Sequence, residues 1–172
     1  NYKKALYWYK KSAAQNDKDA TFNIGQMYHY GTGVQHSWKN AIKWYQKAAQ
    51  LKHHGAMHWL ARYYGGLEGH EVILSKEVFW LKKAAKKGDA QSMCNLGVCY
   101  FNGKGLNKNI KKAATLYRDS AEIGDTWAMY LLGLCYRDGT GVVKNKRWAL
   151  YWFDKSSHET PEAQEAAIIL RE

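Results

Sequence analysis

The sequence predicts an all-α solenoid built from helix-turn-helix repeats, and three observations carry that expectation. A shift of 36 residues superimposes one apolar column after another with no gap. Each repeat holds two stretches whose apolar residues fall at helical spacing. Glycine-containing turns separate the two stretches.

The columns are specific. Ile24, Leu60, Leu96, Leu132 and Ile168 align, followed by Gly25, Ala61, Gly97 and Gly133, and Tyr28, Tyr64, Tyr100 and Tyr136 hold another column without exception. Further along, Trp8, Trp44, Trp80, Leu116 and Trp152 align, with Tyr9, Tyr45, Leu81, Tyr117 and Phe153 beside them. The spacing predicts a half repeat over 1–16, full repeats over 17–52, 53–88, 89–124 and 125–160, and a terminal helix over 161–172.

Each element follows from local chemistry. Residues 1–16 carry only the second-helix columns. In the first full repeat, Ala20, Ile24 and Tyr28 lie four apart and share one helix face. Gly31-Thr-Gly33-Val34 ends that helix, because glycine enters positive φ at little cost; Gly103-Lys-Gly105-Leu106 and Gly139-Thr-Gly141-Val142 repeat the device. Ala41, Trp44, Tyr45, Ala48 and Ala49 then form the stripe of a second helix. Small residues in the Gly25 and Ala48 columns let paired helices approach, and no hairpin buries its aromatic face alone, so the repeats are expected to stack. Thr160-Pro161-Glu162 reads as the start of the terminal helix.

Together, Ala20, Ile24-Gly25, Tyr28, Gly31-Thr-Gly33-Val34, Ala41, Trp44-Tyr45 and Ala48-Ala49 resemble the Sel-one-like repeat, a relative of the tetratricopeptide repeat. The resemblance covers essentially the whole chain. It implies a right-handed superhelix with first helices on the concave side, an adaptor that binds proteins, and no catalytic activity. The second full repeat departs from the pattern: Ala61 replaces the glycine, Gly65-Gly66-Leu67-Glu68-Gly69-His70 replaces the usual linker, and Glu77 replaces an alanine, so distortion is expected there.

Composition excludes several alternatives. Thirteen Tyr and eight Trp among 172 residues rule out disorder, no run approaches the roughly 20 apolar residues of a spanning helix, and three cysteines do not make a disulfide scaffold. The net charge of +11 divides unevenly: second helices with their lead-ins hold 21 basic and 5 acidic residues, a net of +16, and the remainder is −5. Lys39, Lys43, Lys47, Lys82, Lys83, Lys86, Lys111 and Lys112 read first as solvated faces that keep an aromatic solenoid soluble. A surface for nucleic acid or anionic lipid is the sharper alternative. Against it, the aromatics fall in core columns, where they are not free to stack on bases. Steering of an acidic protein partner is a third reading.

By analogy with tetratricopeptide positions, the concave face presents Phe22, His58, Cys94 and Tyr130 in one column and Gln26, Arg62, Val98 and Leu134 in the next. His29, Gly65, Phe101 and Arg137 form a third, with Asp19, Gly55, Gln91 and Trp127 at the helix starts. These columns do not repeat chemically, whereas the core columns do. Phe22, Gln26, His29, His58, Arg62, Gln91, Phe101, Trp127, Tyr130 and Arg137 are therefore the expected partner-binding residues, in keeping with the aromatic and arginine enrichment of interfaces.

No catalytic residue, metal or cofactor is expected. His54 and His58 have i,i+4 spacing, but the interval straddles the expected helix start and no H-E-x-x-H pattern completes it. Cys99 and Cys135 share a column and read as packing residues; His58 and Cys94 share another, too far apart in stacked layers to act as a pair. Cysteine-rich members of the resembled family join a first-helix cysteine to a second-helix one, and no second helix here has one. The expected function is non-enzymatic binding of a protein, with a bacterial immunity protein against a secreted toxin or effector as the alternative, and a basic convex face for nucleic acid or membrane as the third. The expected partner is a protein, an effector or toxin or else an envelope protein. Unpaired cysteines lean toward the bacterial cytoplasm over the periplasm, and the start at Asn1 inside a repeat fits upstream trimming.

Overall fold

The computed structural model describes residues 1–171, which form ten α-helices and one short 3₁₀ helix, with no strand among the described residues. This is the all-α repeat fold expected. The chain divides into two compact units, Asn1–Ala84 and a second from Ala85 onward. The first contains α1 (Tyr2–Ala13), α2 (Lys18–Tyr30), α3 (Trp38–Gln50), α4 (His54–Tyr64), the 3₁₀ turn Leu67–Gly69 and all but the last residue of α5 (Leu74–Ala85). The second contains α6 (Ala90–Asn102), α7 (Ile110–Ile123), α8 (Thr126–Asp138), α9 (Lys146–Ser156) and α10 (Pro161–Arg171).

Helix starts follow the 36-residue period as strictly as the core does. Asp17, Asp89 and Asp125 cap α2, α6 and α8, each carboxylate accepting from backbone N–H groups of the first turn. His53 takes that position for α4, where its Nδ1 accepts from the Ala56 N–H at 3.1 Å. Ser37, Asn109 and Asn145 cap the second helices α3, α7 and α9. Gly31, Gly103 and Gly139 end α2, α6 and α8 in the left-handed region.

The tyrosine column marks where each linker returns. The carbonyls of Tyr28, Tyr64, Tyr100 and Tyr136 accept from the backbone N–H of Ser37, Ile73, Asn109 and Asn145 at 2.8–2.9 Å. Distortion at Gly65–His70 is real but local: Glu68 has φ 53°, the segment forms a 3₁₀ turn, and the closing bond from Ile73 to Tyr64 survives.

The glycine column creates the close approach between paired helices. A β-carbon at Gly25 would lie 2.6 Å from the Tyr45 ring, at Gly97 2.6 Å from Tyr117 and at Gly133 2.5 Å from Phe153. All three rings are buried. Where Ala61 replaces glycine, the matching second-helix residue is Leu81, which has no ring to accommodate, and both are buried. One core column ends differently: Ile168 is 51% exposed, because α10 packs on α9 through Ala163, Ala166 and Ala167, away from its isoleucines.

Gly97→Ala is expected to destabilise the protein by about 1–3 kcal/mol in urea unfolding, since overpacking outweighs the ~1 kcal/mol that alanine normally adds to a helix. Adding Tyr117→Leu recreates the Ala61/Leu81 pairing and should return part of the loss. A neutral or stabilising Gly97→Ala would show that the ring does not fix the approach.

Candidate functional site

In the second unit, α6 and α8 flank an open hollow of about 400 Å³. Val98, Phe101 and Asn102 line it from α6, and Trp127, Leu131 and Leu134 from α8. The ring of Tyr117, buried against Gly97, reaches it from α7. Polar groups at Asn102, Asp138 and Thr140 interrupt an otherwise apolar wall. Trp127 is 46% exposed at the first turn of α8 and leans on Tyr130, ring centroids 5.2 Å apart; Tyr130 in turn packs against the buried Phe153. The structure thus brings together Phe101, Trp127, Val98 and Leu134 of the expected columns. Leu131, Asn102, Asp138 and Thr140 belong to the same hollow and were not among the sequence candidates.

Arg137 turns to its neighbour, donating from Nε and a terminal nitrogen to the two Asp138 oxygens at 2.8 Å each. These hydrogen bonds hold the Asp138 carboxyl below the usual carboxylate range. Gln91 is exposed in the first turn of α6.

The first unit uses its candidates differently. His29 is 5% exposed, with Nδ1 3.1 Å from Tyr45 Oη and its ring among Tyr30, Trp38 and Trp59. Burial lowers its pKa, opposed by Glu68, whose carboxylate is 4.0 Å from Nε2, and reinforced by His36 and Arg62. A neutral imidazole protonated on Nε2, accepting from the tyrosine hydroxyl at Nδ1, fits these contacts. Phe22 is half-buried and stacks on His53, centroids 4.1 Å apart, while His53 Nε2 faces Asp19 at 3.3 Å. Arg62 is exposed and lies over the Trp59 ring at 4.7 Å. Gln26 lines a separate shallow hollow of about 320 Å³ with Tyr2, Tyr9 and Tyr30. His58 is buried.

Two expectations need correction. His54 is the first residue of α4, so the interval to His58 lies within the helix; His54 is exposed and His58 buried. The aromatics are not confined to core positions: Trp8 is 62% exposed, and Tyr7, Phe79, Trp148 and Tyr151 are exposed on second helices. Their helix faces turn outward. Lysines cover several of these rings, Lys11 over Tyr7 and Trp8, Lys83 over Phe79 and Lys155 over Tyr151.

The three cysteines are buried and unbridged. Burial pushes the Cys94 thiol up to about 12 and the Cys135 thiol up to about 11, so neither supplies a thiolate at neutral pH. Among the described residues no group of three or more His, Cys, Asp or Glu is placed to hold a metal, and no helix is long and apolar enough to cross a membrane.

The Sel1 repeat model matches residues 1–17, 18–53, 78–89, 90–125 and 128–159. The chain belongs to the Sel1 repeat family. The matched segments omit 54–77, which contain the irregular Gly65–His70 linker. A Sel1 repeat protein from Oxalobacter formigenes is 32% identical, with a TM-score of 0.86 over 95% of this chain and 67% of that one. A protective antigen of uropathogenic Escherichia coli with an SLR fold is 30% identical, with a TM-score of 0.85 over 92% of this chain and 34% of that one. The immunity protein Pa5087 of Pseudomonas aeruginosa shares the fold at 22% identity and a TM-score of 0.56, over 88% of this chain and 56% of that one. No curated protein matches the sequence. Sel1 repeats generally mediate protein–protein interaction and typically form non-enzymatic scaffolds.

Acid should weaken the first unit. A histidine whose folded pKa is depressed by burial binds its proton more readily unfolded, so the stability it confers is complete above the ordinary value of 6.5 and lost as pH falls below it. Both His29 and His53 act in this direction, and protonation at Nδ1 also removes the His53 cap. Unfolding followed from pH 8 to 5 should show a falling midpoint in the parent chain and a flatter profile in His29→Phe, which loses the bond to Tyr45 at every pH. Equal slopes would remove His29 as a source of acid sensitivity.

Proposed function

We propose that the chain is a non-enzymatic protein-binding module and that its partner engages the first-helix surface of the second unit, centred on Phe101, Trp127 and Tyr130. The supporting observation is the exposed Trp127 indole beside an open apolar hollow, in a chain whose family mediates protein–protein interaction. Aromatic anchors in partly enclosed pockets are the usual source of interface energy, with the polar rim contributing less. Gln91 and the Arg137–Asp138 pair lie on the same helices and supply that rim. In the first unit, Phe22, Gln26 and Arg62 offer accessible atoms, whereas His29 and His58 act from beneath the surface.

The second reading is that of an immunity protein, which would meet a cognate toxin on this surface. Its support is a fold shared with the Pseudomonas aeruginosa immunity protein. Rescue of growth when the chain is co-expressed with the product of an adjacent toxin gene would support it, and unrelieved killing would remove it.

Co-purification with mass spectrometry identifies the partner, and calorimetry on the purified pair then tests the surface. Trp127→Ala and Phe101→Ala are each expected to weaken binding by about tenfold to a hundredfold, the effect of removing an interface anchor of about 1–3 kcal/mol. Undiminished affinity in a double variant with an unchanged thermal midpoint would reject it.

A further inference from the structure

The hollow of the second unit has a counterpart in the first, two repeat periods earlier in sequence, and there the space is filled. Phe101 corresponds to His29, Tyr117 to Tyr45, Leu131 to Trp59 and Thr140 to Glu68. The Trp59 indole stands edge-on to His29 with centroids 4.5 Å apart and parallel to Tyr45, within 12° at 6.3 Å. A second indole, Trp38, lies 4.2 Å from His29 and donates its Nε1–H to Glu68 at 2.6 Å. The first unit therefore fills the site with its own tryptophans and gives one of them a carboxylate acceptor.

In the second unit both tryptophans are replaced by smaller aliphatic residues, Trp59 by Leu131 and Trp38 by Ile110. The aromatic wall persists as Phe101 and Tyr117. What remains is the open volume of about 400 Å³. Its polar lining residues Asn102, Thr140 and Asp138 each carry an oxygen able to accept a hydrogen bond, as Glu68 does from Trp38. Shape, aromatic edges and acceptors thus match a flat ring carrying one donor.

We propose that this hollow is a socket for an aromatic side chain of the partner protein, with tryptophan the best fit, so that the partner supplies in trans the indole that Trp59 supplies within the first unit. The inference rests on the protein-binding reading and specifies the chemistry of its anchor. The Arg137–Asp138 pair leaves no net charge from those two residues beside the socket, which favours a neutral ring over an ion.

The probe is N-acetyl-tryptophanamide, compared with N-acetyl-leucinamide, titrated into the full chain carrying labelled Val and Leu methyl groups. The tryptophan probe should shift the Val98, Leu131 and Leu134 resonances in a saturable manner and bind about tenfold more tightly than the leucine probe. Leu131→Trp should abolish these shifts while the chain keeps its thermal midpoint, because the introduced ring occupies the socket as Trp59 does. Trp59→Leu should create a second saturable site in the first unit. Absent shifts at saturating probe, equal binding of the leucine probe, or a folded Leu131→Trp variant that still binds would each overturn the proposal. An identified partner that binds Leu131→Trp as tightly as the parent chain would sink the socket and leave the proposed surface standing; a partner that ignores Phe101, Trp127 and Leu131 alike would sink the socket and the surface together, with protein binding itself intact.

Discussion

At Gly25, Gly97 and Gly133 the backbone of a first helix lies bare against the ring of Tyr45, Tyr117 or Phe153, so close that a single added carbon would collide. That approach sets the distance between paired helices, and the rest of each unit is arranged around it. Burying a ring against backbone removes a large apolar area from water, and the absent side chain leaves no rotamer to freeze. The ring is then fixed enough to serve a second purpose. Tyr45 presents its hydroxyl to His29, and Tyr117 forms part of the wall between α6 and α8.

The irregular segment of the first unit is a consequence of the same geometry with a different filling. With Trp38 and Trp59 packed on His29, the Trp38 N–H takes a carboxylate as its acceptor, which the threonine or lysine of a regular Gly-x-Gly turn does not offer. Gly65–His70 brings Glu68 back over the cluster instead, at the cost of a positive φ that only the surrounding contacts sustain. The second unit keeps its regular turns at Gly103 and Gly139, has Thr140 at the matching position and leaves the equivalent space open. One period therefore yields a space filled by tryptophans in the first unit and the corresponding space left open in the second.

Much of the fold was legible because helix pairing imposes the same demand in every layer. Ile24, Leu60, Leu96 and Leu132 recur for that reason, as do the glycines that end α2, α6 and α8. The candidate site was legible only in part. A column states which direction a residue points, but burial depends on the size of side chains in the adjacent layer, so His29 and Phe101 share a column with different surroundings. Trp59 and Leu131, the pair that decides whether the space is filled, lie outside the columns chosen by analogy. Comparing their volumes across a 72-residue offset would have exposed the difference. The exposure of Trp8 was hidden for a related cause: its column is covered only where another helix lies over it.

Charge takes its meaning from these contacts. The lysine excess of the second helices lies in part directly over exposed rings, where an ammonium and its methylene stem cover apolar area while the charge stays hydrated. Such lysines are engaged with their own helix before any ligand arrives, and using them to hold phosphate would uncover the rings beneath. At the hollow of the second unit, by contrast, Arg137 and Asp138 neutralise each other. In the proposed socket a partner side chain would be selected by shape and by one hydrogen bond, and the basic charge elsewhere would act on the rate of encounter more than on the fit.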